Sequence, residues 1–214
     1  METLVVAPPV LRAQRDGVAT GFSRRVLLRR ALATAIGLWA VEALAGTVSY
    51  AWSTGKVGGG VVRVGTFREF LTLHGALPVD EGFPAYAAEA RAFVVLIDPE
   101  RGGWFEGEDE TGDGSSLNVR ALYQRCPHLG CRPDPCLEDF WMHCPCHQSR
   151  YDRLGTKVDG VRYGPAARGM DRFAVRVDGD GVLFVDQTKL TLGPLPVALG
   201  MPGVIPPLVD DGCV

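Results

Sequence analysis

The stretch that decides the fold reads Cys126-Pro-His128-Leu-Gly-Cys131, answered by Cys144-Pro-Cys146-His147-Gln-Ser149. It gathers four of the six cysteines and two of the four histidines into about two dozen residues. Cys-x-His and Cys-x-x-His form two short clamps on two loops, with fifteen residues between them. Two thiolates and two imidazoles suit either a closed zinc site or a [2Fe–2S] centre in which two His replace two Cys on one iron. Zinc knuckles usually use Cys-x2-4-Cys pairs. Here each loop offers one Cys and one His, which would put one iron on two sulfurs and the other on two nitrogens.

Over residues 126–151 this pattern resembles the Rieske iron–sulfur proteins, and elsewhere the resemblance is looser. It implies a mainly β fold: a Rieske head of antiparallel sheets with a small cluster-binding subdomain, preceded by one N-terminal transmembrane helix. It also implies Cys126 and Cys144 on the inner iron, His128 and His147 on the outer one, and a Cys131–Cys146 disulfide tying the two loops together. Ser149 and Tyr151 match the family's two hydrogen-bond donors to cluster sulfur, which stabilise the reduced state and raise the potential. Leu129 resembles the apolar residue that shields the cluster from water. Gly164-Pro165-Ala166 resembles the proline loop that covers it from a third side. The chain departs from the common pattern at Gln148, where many members have Gly, and at Pro127, where many have Thr. Neither position supplies a ligand.

The function implied by the resemblance is that of a high-potential subunit of a cytochrome bc-type complex. Such a subunit accepts one electron, coupled to a proton, from membrane quinol and passes it to a c-type cytochrome. The quinol hydroxyl would bond to an exposed imidazole nitrogen, that of His147 before that of His128. Leu129 and the Pro165 loop would form part of the quinol-facing surface, and a cytochrome b-type membrane subunit would be the neighbour. The alternative is the Rieske small subunit of an arsenite-oxidase-like periplasmic enzyme. The disulfide pair and an anchor argue against a soluble Rieske ferredoxin, and a structural zinc module is the non-redox rival.

Charge is divided unevenly along the 214 residues. Residues 1–52 carry six Arg and three acids, whereas residues 53–214 carry sixteen basic and twenty-two acidic groups. An acidic body argues against nucleic-acid binding. Residues 31–52 contain one charged side chain, Glu42, and at 1.5 Å per residue span about 33 Å, enough for a hydrocarbon core of about 30 Å. Arg24, Arg25, Arg29 and Arg30 precede this run, and Tyr50 and Trp52 close it as interfacial aromatics would. The expectation is an uncleaved anchor in a bacterial inner membrane, with residues 1–30 cytoplasmic and the head on the periplasmic side. Ser23-Arg24-Arg25-Val26-Leu27-Leu28 looks like a twin-arginine export signal. Glu42 near mid-span would cost about 2.5–3.5 kcal/mol in lipid, so it is expected to face a helix of a partner subunit.

Residues 53–60 (STGKVGGG) read as a flexible neck with a reach of about 26 Å when extended. The head is expected over 61–189, its cluster-binding part at about 125–166, with a Pro-rich tail over 190–214. Strands are expected at 61–64, 92–97, 119–124 and 140–143, with a hairpin of 173–177 and 182–185 around the turn at 178–181. Thr66-x-x-Glu69 is a capping-box start for one helical turn. The acidic, Gly-rich segment 100–116 reads as an exposed loop. His143 reads as structural, His74 has no motif around it, and Cys136 and Cys213 either pair or leave Cys213 free.

Overall fold

The apolar N-terminal run forms α1 (Arg24–Ala51), an α-helix of 28 residues. The structure, a computed structural model, describes residues 23–51, 59–210 and 212–213, with the side chains at 50 and 51 left aside. The tail 1–22, Trp52 and neck residues 53–58 therefore lie outside the described residues. α1 begins at Arg24, before the expected boundary at residue 31. The Ser23 carbonyl accepts from the amides of Val26 and Leu27 at 2.8 and 3.0 Å, and Arg and Leu are good helix formers. Leu32, Ile36, Leu38, Val41 and Leu44 are exposed around its circumference. A helix apolar on every side has the composition and length to cross a membrane.

The remaining described chain is a second compact unit. β1 (Val61–Thr66) leads into α2 (Phe67–Leu73), followed by β2 (Ala85–Ala87), β3 (Ala92–Leu96), β4 (Gly107–Asp109) and β5 (Val119–Tyr123). Next come β6 (Asp134–Pro135), β7 (Met142–His143), β8 (Arg150–Tyr151) and β9 (Val158–Asp159). β10 (Arg172–Val177), β11 (Val182–Thr191) and β12 (Val197–Ala198) complete the series. The main sheet runs β1-β11-β10-β5-β3-β2, with β4 also on β10, and its pairings are antiparallel. β6-β7-β8 form a small antiparallel sheet, and β9 pairs in parallel with β12.

β3 positions the site. All five of its residues are buried, which the period-2 strand divides between two faces. Ala92, Val94 and Leu96 join the main core with Val119, Ala121, Phe173 and Leu183. Phe93 and Val95 turn the other way and, with Leu122, pack on Cys126, Cys144, Tyr151 and Met170. One wall thus serves two cores. Each fully buried large apolar side chain in it contributes about 1.5–3 kcal/mol.

Local signals hold where partners are close in sequence. Thr66 Oγ1 accepts from the Glu69 amide at 3.2 Å and Glu69 Oε2 accepts from the Thr66 amide at 2.8 Å, so the capping box starts α2, which runs two turns instead of one. Segment 100–116 differs from its expectation. It supplies β4 and buries Trp104, whose Nε1–H donates to the Gly181 carbonyl at 2.9 Å. The strand expected at 140–143 shrinks to β7, because Phe140 closes a turn at φ +60°.

The tail is structured as well. β11 extends to Thr191, and beyond it Cys213 is paired with Cys136 in a disulfide, 77 residues apart. Trp141 Nε1–H donates to the Ile205 carbonyl, the Ile205 amide to Asp152 Oδ2, and the Leu208 amide to the Asp139 carbonyl, at 2.9, 2.9 and 3.2 Å. Closing so long a loop removes chain entropy from the unfolded state. Cys213→Ser should therefore lower stability by about 2–4 kcal/mol, read as a fall of several degrees in Tm by calorimetry. An unchanged Tm would mean that the tail's hydrogen bonds alone hold it.

Candidate metal centre

Three six-residue turns in this region close in the same way, and each begins with Cys. The leading amide donates to the carbonyl five residues on: Cys126 to Cys131, Cys136 to Trp141, Cys144 to Ser149, at 2.8, 2.8 and 2.9 Å. The fifth residue donates back to the leading carbonyl: Gly130, Phe140 and Gln148, at 3.0, 2.9 and 2.9 Å. That fifth position requires positive φ, +91°, +60° and +57° respectively. Only Gly130 takes it without steric cost. Gln148, chemically neutral in the sequence reading, therefore carries backbone strain of about 1–2 kcal/mol.

The first and third turns bring the quoted motif together. Cys131 and Cys146 form a disulfide, their Cα atoms 6.5 Å apart, joining one turn to the other. Cys126 and Cys144 are free and buried. Burial pushes the Cys144 thiol up, and neighbouring Cys126 adds to the effect. The His128 and His147 rings stand 4.7 Å apart and perpendicular, at 89°. His128 Nδ1 is buried without a hydrogen-bond partner, a costly state that coordination would relieve. His147 is exposed, as are Leu129 (71%) and Pro165. Two thiols and two imidazoles so arranged fit a [2Fe–2S] cluster with mixed ligation.

The surrounding polar groups point inward. The Tyr151 hydroxyl lies 3.0 Å from Cys126 Sγ. Burial, followed by the contact with Cys126, pushes its phenol far above the ordinary range, so the hydroxyl keeps its proton and is able to donate it to a Cys126 thiolate. Ser149 Oγ accepts from the Ala166 amide at 3.1 Å, which leaves its own proton to donate. Gly164 lets the 164–166 loop approach. A Cβ there, at φ +79°, would collide with the Ser149 amide and the Gln148 carbonyl.

Other candidates fall away. His143 Nε2 pairs with Asp139 Oδ2 at 2.8 Å, a structural contact. The His74 ring packs against Phe70 at 4.5 Å, tilted by 58°, and burial lowers its pKa. Donor atoms of Cys131, Cys144 and Cys146 also converge, as do those of Cys136, Asp139 and His143, but three of these cysteines are occupied in disulfides. The second turn, 136–141, escaped the sequence reading. Cys136 was its only signal, and the partner that fixes it lies far along the chain.

A family model described as the Rieske [2Fe–2S] domain matches residues 105–174. The chain is 30% identical over 168 residues to a cytochrome b6-f complex iron–sulfur subunit of Synechococcus sp. (strain JA-2-3B'a(2-13)), covering 78% of this chain and 88% of the relative. It is 30% identical over 126 residues to a cytochrome bc1 complex Rieske iron–sulfur subunit of Streptomyces lividans, covering 57% and 68%. A solved soluble domain of Rieske protein II from Sulfolobus acidocaldarius aligns over 70% of this chain and 86% of that one, with TM-score 0.40 and 20% identity.

Backbone conformation gives opposite expectations at two positions. Gly164→Ala should cost about 1–3 kcal/mol and loosen the loop over the site. Gln148→Gly should instead stabilise, by about 1 kcal/mol, through relief of the left-handed conformation. Urea titration of both variants checks the signs, and two shifts of the same sign would contradict this account.

Proposed function

The chain belongs to the Rieske [2Fe–2S] iron–sulfur proteins, and from that membership we propose that it is the high-potential subunit of a quinol-oxidising membrane complex. The observation that carries this reading is the division of the site. Its thiols are buried, while His147, Leu129 and Pro165 are exposed.

When bound, the cluster supplies one-electron acceptance at a potential raised by neutral imidazoles, roughly −150 to +300 mV for such centres. Cys126 and Cys144 would hold one iron, His128 and His147 the other. The Tyr151 and Ser149 hydroxyls would direct their hydrogens at sulfur and favour the more negative, reduced state. The exposed edge of His147 would take the quinol hydroxyl's hydrogen bond and hold its proton. Leu129 and Pro165 would offer an apolar surface to the quinol ring and keep water from the imidazoles. A c-type cytochrome would be the acceptor, and a cytochrome b-type subunit the membrane neighbour. α1 would be the anchor, its basic end cytoplasmic by the positive-inside rule and the head periplasmic.

The test uses the full chain purified from membranes in mild detergent. Adding a quinol analogue without oxygen should reduce the protein to a rhombic electron-paramagnetic state of the Rieske type, and a c-type cytochrome added afterwards should take up the electron. A colourless protein holding one zinc would refute the cluster, whereas an intact cluster inert to quinol would refute only the substrate.

Ser149→Ala and Tyr151→Phe should each lower the potential without loss of the cluster. A hydrogen bond that strengthens by about 1–3 kcal/mol on reduction corresponds to about 40–130 mV for one electron. Potentials unchanged in both would place the donors elsewhere. Glu42→Leu should weaken retention of partner subunits during purification, and equal retention would show Glu42 to be a tolerated passenger.

A further inference from the structure

We infer that Lys157 is a fixed positive charge set against the thiolate side of the metal centre, where it raises the site's affinity for an electron. This rests on the reading of Cys126 as a cluster ligand.

Lys157 is 1% exposed and among the largest fully buried side chains of the head. Fully buried lysines are rare unless paired. Its Nζ donates to the Val158 carbonyl, and among the described residues no carboxylate lies within ion-pair distance of it. Asp159, two residues on, is exposed and acts only at longer range.

Backbone pairing fixes where the side chain goes. Lys157 is bridged antiparallel to Tyr151, and directly opposed residues carry their side chains on the same face. Tyr151 is itself fully buried, and its hydroxyl ends 3.0 Å from Cys126 Sγ. The Lys157 stem therefore enters the interior that holds Cys126 and Cys144. The backbone around it is held by the Val197 amide, which donates to the Lys157 carbonyl at 2.9 Å.

The charges that act on Lys157 agree with this placement. Burial holds the Lys157 pKa below its ordinary value, against the favourable charges of Asp159 and then Cys126. A buried cation with one carbonyl for company is expensive by itself. A pair of thiolates on an iron cluster supplies the missing countercharge, and each added electron strengthens the attraction. Tyr151 and Ser149 act on the sulfurs through hydrogen bonds, whereas Lys157 acts through the field across a desolvated interior.

Redox titration of the full-length holoprotein, followed by electron-paramagnetic resonance, tests the inference. Lys157→Met should shift the reduction equilibrium at least tenfold toward the oxidised state, a fall of 59 mV or more by the one-electron relation. Lys157→Gln, which can keep the bond to Val158 without the charge, should fall equally. Lys157→Arg should stay near wild type. A wild-type potential in the Gln variant, or a common fall in Met and Arg, would overturn the inference and leave Lys157 as packing. Should neither neutral variant retain the cluster, the Arg variant decides: a potential held at wild type supports the charge, and a tenfold shift overturns it. A wild-type protein with no Rieske signal would strike instead at the underlying assignment of the ligands.

Discussion

The burial of β3 on both faces is the constraint from which the rest of the head follows. A strand in an antiparallel sheet commonly shows one face to water. Here the second face is closed by the loops that carry Cys126 and Cys144, so Phe93 and Val95 pack on the metal-site side of the same backbone whose Val94 and Leu96 pack on the sheet core. The site is thereby built against a rigid wall. Its exposed tip, with His147 and Leu129, is supported from behind by apolar contacts, so it needs few of its own.

Within that frame, a single local design is used three times. A Cys-led turn with two reciprocal backbone hydrogen bonds can present side chains from its second to fourth positions. In the first turn the third position gives His128, and in the third turn the fourth gives His147. The turn around Cys136 presents Asp139 at its fourth position, where the carboxylate accepts from the Trp141 amide and pairs with His143. That turn is a support. It holds the small β6-β7-β8 sheet against the tail and takes no place among the proposed ligands.

What could be read in the sequence was what is local. The Thr66–Glu69 capping box, the apolar run of β3 and the paired Cys/His clamps each fit within a few residues, so spacing alone reports them. Trp104 could not be placed, because its hydrogen-bond partner, the Gly181 carbonyl, belongs to a distant turn and its own neighbours are acidic and Gly-rich. Phe140 departs from the strand expected over 140–143 for a similar reason. Its residue type favours a strand, but the turn geometry set by Cys136 overrides that preference. Lys157 carries no motif at all. Only its pairing with Tyr151 reveals which way it points.

The Cys136–Cys213 bond makes the chain a covalent ring from residue 136 to residue 213. Cys144, His147, Tyr151, Pro165, β10 and β11 all lie on that ring, while Cys126 and His128 lie just outside it and are linked to it through Cys146. A protease that cuts once at an exposed tip such as Gly179–Asp180, or near Met201, opens the ring without releasing a fragment. The nicked head keeps its mass under non-reducing conditions and separates into pieces only after thiol treatment. Surface damage of this kind is therefore silent in size and confined to the loop where it occurs.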